Sequence, residues 1–320
     1  MITVERYSSE RTTEWNDFVR ESRNATFLFN RGFMDYHSDR YTDHSLMFRK
    51  NGRLIGVLPA NLTSEEGVRV LHSHSGLTYG GIILSPRHCG ADDIIGIFNL
   101  LKEYCKDRGI SELDYKPIPY IYTAMPSQED IYSLWRLGAE MRECNLSVAI
   151  DLEHNVGFDS RQRRNCKRAE RAGGEVMKIG ADDEIDAFHQ MLSSCLEDRH
   201  DVAPVHTADE LKLLHSRFPS EIEFYVMMSG SEMHAGVCIF RCGMAVHAQY
   251  ICTTGYGREH GMMALLMDSV IRASSASGAR YFDFGTCNED AGRYLNVGLA
   301  AQKYGLGGTG VCYPRLSLKI

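Results

Sequence analysis

The sequence predicts an α/β (α+β) protein of two tandem domains of similar plan, each a mixed sheet flanked by helices. The chain has 320 residues, about twice a domain of roughly 150, and either half is long enough to bury its own core. Its 43% apolar and 24% charged residues are the make-up of a packed globular chain. The third observation is repetition: segments of the same kind follow in the same order in 1–152 and in 153–320.

In the first half Ser45-Leu46-Met47-Phe48 reads as a strand, Asn51-Gly52 as a tight turn and Leu54-Ile55-Gly56-Val57-Leu58 as the returning strand. Asn-Gly supplies the left-handed backbone that a two-residue hairpin needs. In the second half Phe224-Tyr225-Val226-Met227, Ser229-Gly230 and 234–239 repeat that hairpin. A further strand is expected at 78–84 and at 245–252. Then comes Arg87-His88-Cys89-Gly90 with an apolar helix from Ile94 to Tyr104, matched by Arg258-Glu259-His260-Gly261 with a helix over 262–274. Gly109 leads to Leu113-Asp114-Tyr115, and Gly278 leads at the same spacing to Phe282-Asp283-Phe284. A last helix and strand follow at 128–137 and 144–152, and again at 289–304 and 310–318. This shared order reads as a duplication with its boundary near Leu152-Glu153.

A net charge of −7 gives no global attraction to DNA or to an anionic membrane, so any anionic ligand must meet a local basic patch. The start of the chain lacks the charged and apolar regions of a signal peptide, and no stretch reaches the ~18 apolar residues of a membrane helix. The 10 cysteines stand singly between Cys89 and Cys312, without a CxxC pair. Free thiols so scattered suit a reducing compartment, and a soluble cytoplasmic protein is expected. His72 and His74 alternate on one strand but lack a third ligand, so no metal is expected. Neither Gly80-Gly81 nor Gly307-Gly308 opens a phosphate-binding P-loop, and no G-x-S-x-G elbow occurs.

A strand, then (Gln/Arg)-x-x-Gly-x-(Gly/Ala), then a helix resembles the acyl-CoA-binding turn of the GNAT acyltransferases. Two such domains in one chain resemble the FemAB-like proteins of that superfamily. Tyr281-Phe282-Asp283-Phe284-Gly285, Lys303-Tyr304-Gly305 and the run from Arg161 to Ala169 share the likeness. It covers nearly the whole chain and implies tandem GNAT-like domains at 1–152 and 153–320, the second carrying the active site. It implies N-acyl transfer, from acyl-CoA or from aminoacyl-tRNA as co-substrate, to an amine such as an amino sugar or a cell-envelope precursor. No permanently bound cofactor is implied. The motif's last position is Met263 in the second half and Asp92 in the first. Backbone N–H groups at a helix N-terminus hold a pyrophosphate, which a methionine would crowd and an aspartate repel. The identity of the donor therefore stays open, and a non-catalytic binding protein retaining the tandem fold is the rival reading.

Asp283 stands on the opposite strand face from Phe282 and Phe284 and is either a general base or a structural carboxylate, as Asp114 holds the matching place. Lys303 is either a cation in a last helical turn or the lysine that the resemblance implies for holding the acceptor or the acyl oxygen. Tyr250 is the second candidate for proton transfer. Arg258 and Gly261 belong to the donor turn. Arg164 and Arg168 represent a basic helix face, Arg161 to Arg171, that either meets donor phosphates or is simply solvated. Arg199 and His200, in a charged helix end, are acceptor-binding candidates. No Cys or Ser stands in a nucleophile's setting, so transfer is expected to be direct.

Overall fold

The computed structural model describes residues 1–200 and 202–320, with the side chains of all of these but Glu65, Arg199 and His200. The chain forms two compact units: Met1–Leu146 with Asn288–Tyr294 and Cys312–Ile320, and Ser147–Cys287 with Leu295–Val311. A single cut after Leu152 therefore gives way to an interleaved division, in which the end of the chain belongs to the first unit.

In the first unit β1 (Ile2–Arg6), α1 (Thr12–Glu21) and α2 (Arg31–Met34) lead to the hairpin β2 (Leu46–Lys50) and β3 (Arg53–Leu58). Asn51 and Gly52 turn it at φ of 51° and 80°, the left-handed pair that Asn-Gly supplies. A second hairpin follows, β4 (Asn61–Glu65) and β5 (Val68–His72), turned by Glu66 and Gly67 at φ of 48° and 81°. The polar run Thr63-Ser64-Glu65-Glu66 hides it from a search for apolar strands. The strand expected at 78–84 shrinks to β6 (Ile83–Leu84). Ahead of it the backbone bends at His74 and Gly81, with φ of 66° and 92°, and Gly80 lies too close to the Ser73 carbonyl for any Cβ to fit.

The helix α3 (Ala91–Asp107) buries Ile94, Ile97, Phe98, Leu101 and Tyr104, the stripe of a helix laid on a sheet. Then come β7 (Glu112–Tyr115), α4 (Glu129–Arg136) and β8 (Glu140–Asp151). β7 runs parallel to β5 for three pairs, the last being His72↔Asp114. Phe48, Ile55, Phe98 and Leu113 anchor this core, each fully buried side chain contributing about 1.5–3 kcal/mol.

In the second unit α5 (Ser160–Arg171), β9 (Gly174–Ile179), α6 (Asp182–His200) and α7 (Ala208–Arg217) precede the strands β10 (Ile222–Ser229), β11 (Glu232–Cys242) and β12 (Ala245–Thr253). A short helix α8 (Gly255–Glu259), the long α9 (Met262–Ala276) and β13 (Tyr281–Thr286) follow. The helix expected at 289–304 starts only at 297. Two short strands, β14 (Asn288–Glu289) and β15 (Tyr294–Leu295), stand ahead of α10 (Val297–Gly305), and β16 (Thr309–Lys319) ends the chain. Asp290, Ala291 and Gly292 have φ of 50°, 49° and 87°, which no helix tolerates. Asn296 then caps α10 by accepting the Leu299 N–H at 3.0 Å. The sheet of this unit runs β8-β13-β12-β11-β10-β9, with α9 packed on it through Met262, Leu266, Met267 and Val270. Among the described residues no helix is long and apolar enough to cross a membrane.

Candidate active site

The site of the second unit begins where two parallel strands part. β12 and β13 pair only through Ala245↔Tyr281, Val246↔Phe282 and His247↔Asp283. Past that point they diverge, leaving a cavity of about 530 Å³ with Ala248, Gln249, Ile251, Cys252 and Thr253 along one wall and Phe284 on the other. α9 supplies Met263, Ala264 and Met267, α5 supplies Arg161, Gln162 and Asn165, and α10 supplies Leu299, Gln302 and Lys303. Among the described lining residues the charged ones are Arg161, Arg258 and Lys303, and none is a carboxylate. Three cations facing a partly desolvated space favour an anionic or strongly polarised ligand.

A bulge shapes the β12 wall. β11 pairs Cys238 with Tyr250 and then Ile239 with Ala248, so Gln249 is the extra residue. It lines the cavity, while Tyr250 turns away from it: the Tyr250 hydroxyl bonds His206 Nδ1 at 2.5 Å and accepts from the His206 N–H at 3.2 Å. Burial pushes the Tyr250 phenol up to about 12. It is not among the lining residues of the cavity.

Asp283 is likewise displaced from the role of base. It is wholly buried, accepts from Ser147 Oγ and His247 Nδ1 at 2.6 Å each, and accepts from the Gly285 N–H at 3.2 Å. It does not line the cavity. Its bonds tie β8, β12 and β13 together where the strands part, which is an architectural role.

Lys303 does reach the cavity. It is 6% exposed, and its ammonium donates to the carbonyls of Gly285 and Thr286 at 2.9 and 2.8 Å. Burial lowers its pKa, against the opposing pull of Cys287 and Asp283. The charge is thus fixed at the end of β13, where Gly285 takes φ of 76°. Two thiols line the cavity, Cys195 and Cys252; burial pushes Cys252 far up, which makes it a poor nucleophile.

At the donor turn Gly261 is the N-cap of α9, in left-handed geometry at φ of 72° without a side-chain cap. A Cβ there would meet the Asn165 carbonyl at 2.7 Å, so glycine is needed both for the turn and for the approach of α5. Arg258 lines the cavity and is steadied by a 2.8 Å bond from its guanidinium to the Thr253 carbonyl. The basic helix α5 starts from an Asp159 cap and buries Gln162 and Ala169, as its periodicity predicts. Its cavity residue is Arg161; Arg164 and Arg168 are exposed and do not line the cavity. Arg199 and His200 end α6, and their side chains lie outside the described ones. Gln249, Gln302 and Met267 escaped sequence reasoning, and Arg161 was read only as one member of a basic run, because a bulge and a helix phase decide which of several neighbours turn inward.

A splayed pair of parallel strands beside the N-terminus of the next helix, which has no side-chain cap, holds this cationic cavity. Residues 160–294 match the family described as "Acetyltransferase (GNAT) domain". Over its whole length the chain has the fold of FemX, with a TM-score of 0.73 and 10% identity over 99% of this chain and 97% of that one. L-PGS from Bacillus licheniformis is similar in fold at a TM-score of 0.65 and 13% identity, covering 98% and 93% of the two chains. A tandem GNAT protein from the clavulanic acid biosynthesis pathway gives 0.52 and 10% identity over 100% and 98%. No curated protein matches the chain in sequence. The chain has a FemAB-like tandem GNAT fold, and residues 160–294 carry the likeness to a GNAT acetyltransferase domain.

Proposed function

We propose that the second unit takes an acyl or aminoacyl group from an adenosine-terminated donor, acyl-CoA or aminoacyl-tRNA, and passes it directly to a primary amine. The observation that carries this reading is the parting of β12 from β13 after His247↔Asp283 over a cavity with three cations and no described carboxylate. Strand edges past that point offer backbone groups to an extended ligand. Arg161 and Arg258 face the donor's phosphates. Lys303 fixes positive charge beside the reacting carbonyl. The amine nitrogen bonds to the carbonyl carbon, the C–S or C–O bond breaks, and the proton of the amine passes to the departing sulfur or oxygen. Without a carboxylate base the acceptor enters as the free amine, which suits an amino sugar or a cell-envelope precursor bearing an amino group.

The rival, a binding protein without turnover, draws on one observation: the Lys303 ammonium is already held by two backbone carbonyls. One experiment decides between them. Acetyl-CoA and an aminoacylated tRNA are each offered with a panel of amines, and free thiol or deacylated tRNA is measured beside a thermal-shift scan. Turnover with one donor supports transfer. A raised Tm without turnover supports the rival, since saturating ligand at a hundredfold excess stabilises by ~2.7 kcal/mol.

A further inference from the structure

The cavity is lined by polar residues, Arg161, Arg258, Gln249, Gln302 and Lys303, and by apolar ones, Met263, Met267, Ala248, Phe284 and Leu306. Arg161, in the first turn of α5, and Arg258, in α8 just ahead of α9, are exposed residues of its lining. Inward from them, Met263 and Met267 occupy positions four apart on α9 and so share one face. Burial deepens along that face, from 7% exposure at Met263 to 1% at Met267. Ala248 and Phe284, the first residues past the last β12–β13 pair, line the same cavity and are 5% and 3% exposed. Leu306 and Ala264 close the floor. A volume of about 530 Å³ matches sites that hold a drug-sized ligand, about 300–1,000 Å³, and is shared by the donor's linker and its acyl group.

We infer that Met263 and Met267 form the wall against which the donor's acyl chain lies, and that this chain is apolar and longer than acetyl. The inference rests on the donor reading given above. Methionine is unbranched, with three rotatable bonds and a polarisable sulfur, so two of them make a wall that adapts to chain length instead of rejecting all but one. A cationic aminoacyl side chain finds no described carboxylate among the lining residues, and burying it unpaired is costly. The same side chain explains the departure from the small residue of the resembling turn: Met263 serves the chain of the donor, not its phosphates.

The test measures affinity for two donor series with acyl groups of 2, 8 and 14 carbons (about one, four and seven two-carbon units), as CoA thioesters and as esters on the 3′ end of a short CCA oligonucleotide. Each methylene that fits is expected to tighten binding about fourfold, until the wall is reached. Met263→Ala moves that plateau to longer chains and Met263→Phe to shorter ones, with Tm of the free variants confirming that both fold. A wild-type profile that is flat in chain length, or a plateau unmoved by both variants, overturns the inference and leaves the donor reading standing. Absence of saturable binding in both series overturns the donor reading and the inference with it.

Discussion

The two R-x-x-G turns start from one motif and end as different devices. In the first unit Gly90 caps α3 in extended geometry, at φ of −89°. Its N–H donates to Asp93 Oδ2 at 3.2 Å, and Lys50 pairs with the other oxygen of that carboxylate at 2.6 Å. Asp92 adds a second acid to the same turn. The anion that a helix N-terminus attracts is therefore supplied from within the chain. In the second unit Gly261 is left-handed, the first turn of α9 carries no acid, and the turn opens on the cavity. The halves share a further pair. Each parallel ladder ends in a histidine opposite an aspartate, His72↔Asp114 and His247↔Asp283, bonded through Nδ1 at 2.7 and 2.6 Å. What both halves keep is scaffold. What only the second has, the open turn, the bulge at Gln249 and Lys303, is what the proposed function draws on.

The largest expected effect falls on Lys303, which has no counterpart in the first unit, where the matching helix ends in Trp135-Arg136-Leu137-Gly138. Lys303→Ala should lower turnover by about 10²-fold or more, the scale of one lost electrostatic stabiliser. It also strips the Gly285 and Thr286 carbonyls of their donor, at about 1–3 kcal/mol of stability for buried groups. A Tm lowered with turnover intact would return Lys303 to scaffold and erase the sharpest asymmetry between the halves.

Next comes the shared pair. Asp114→Asn and Asp283→Asn should each destabilise by about 1–3 kcal/mol, with turnover of the folded fraction little changed. Burial alone would raise the Asp114 carboxyl, but hydrogen bonds from His72 and Arg315 outweigh it and hold it well below the ordinary 3.8. A carboxyl with a depressed folded pKa stabilises above its unfolded value of about 3.9, and that contribution is lost as pH falls below it. Chemical denaturation between pH 7 and 3 should show Asp114→Asn with a shallower acid decline than the wild type. Should Asp283→Asn abolish turnover while Tm holds, the pair is not scaffold in both halves.

The strand, turn and helix order was legible because each element carries its own local signal: Asn51-Gly52 for a hairpin, an apolar stripe from Ile94 to Tyr104 for a helix. Gly261 and Arg258 were legible for the same reason, since a helix start after a strand has a local signature. The hairpin β4–β5 was not, because its turn falls in a polar run. Nor was the His–Asp pairing, since His247 and Asp283 lie 36 residues apart and meet only through the parallel register. Asp283 read as a base or a brace from sequence alone; what separates the two is whether the strand face it occupies meets the cavity or the sheet, and register sets that. The bulge at Gln249 shifts the phase of β12 by one residue, so alternation counted along the sequence misplaces Tyr250.

The smallest expected effect separates the inner cations of the site from the outer ones. Arg161 and Arg258 line the cavity, whereas Arg164 and Arg168 lie along the exposed face of α5, where Arg168 bonds only its neighbour Asn165 at 3.0 Å among the contacts seen for it. A compact donor such as acyl-CoA places its phosphates close together, and the inner pair suffices. A tRNA end carries charge along its strand, and α5 from Arg161 to Arg168 presents cations over about 10 Å at 1.5 Å per residue. Changing Arg164 and Arg168 together to Ala should then leave acyl-CoA affinity within about twofold, since exposed charges contribute little at a distance. The same variant should weaken an aminoacyl-tRNA by several-fold and reduce its salt slope by about one to two contacts. Titrations at two salt concentrations with each donor read this directly. Equal losses for both donors would mean that the outer face of α5 belongs to the site as fully as Arg161 does, and the division between an open inner turn and a solvated outer helix would fail.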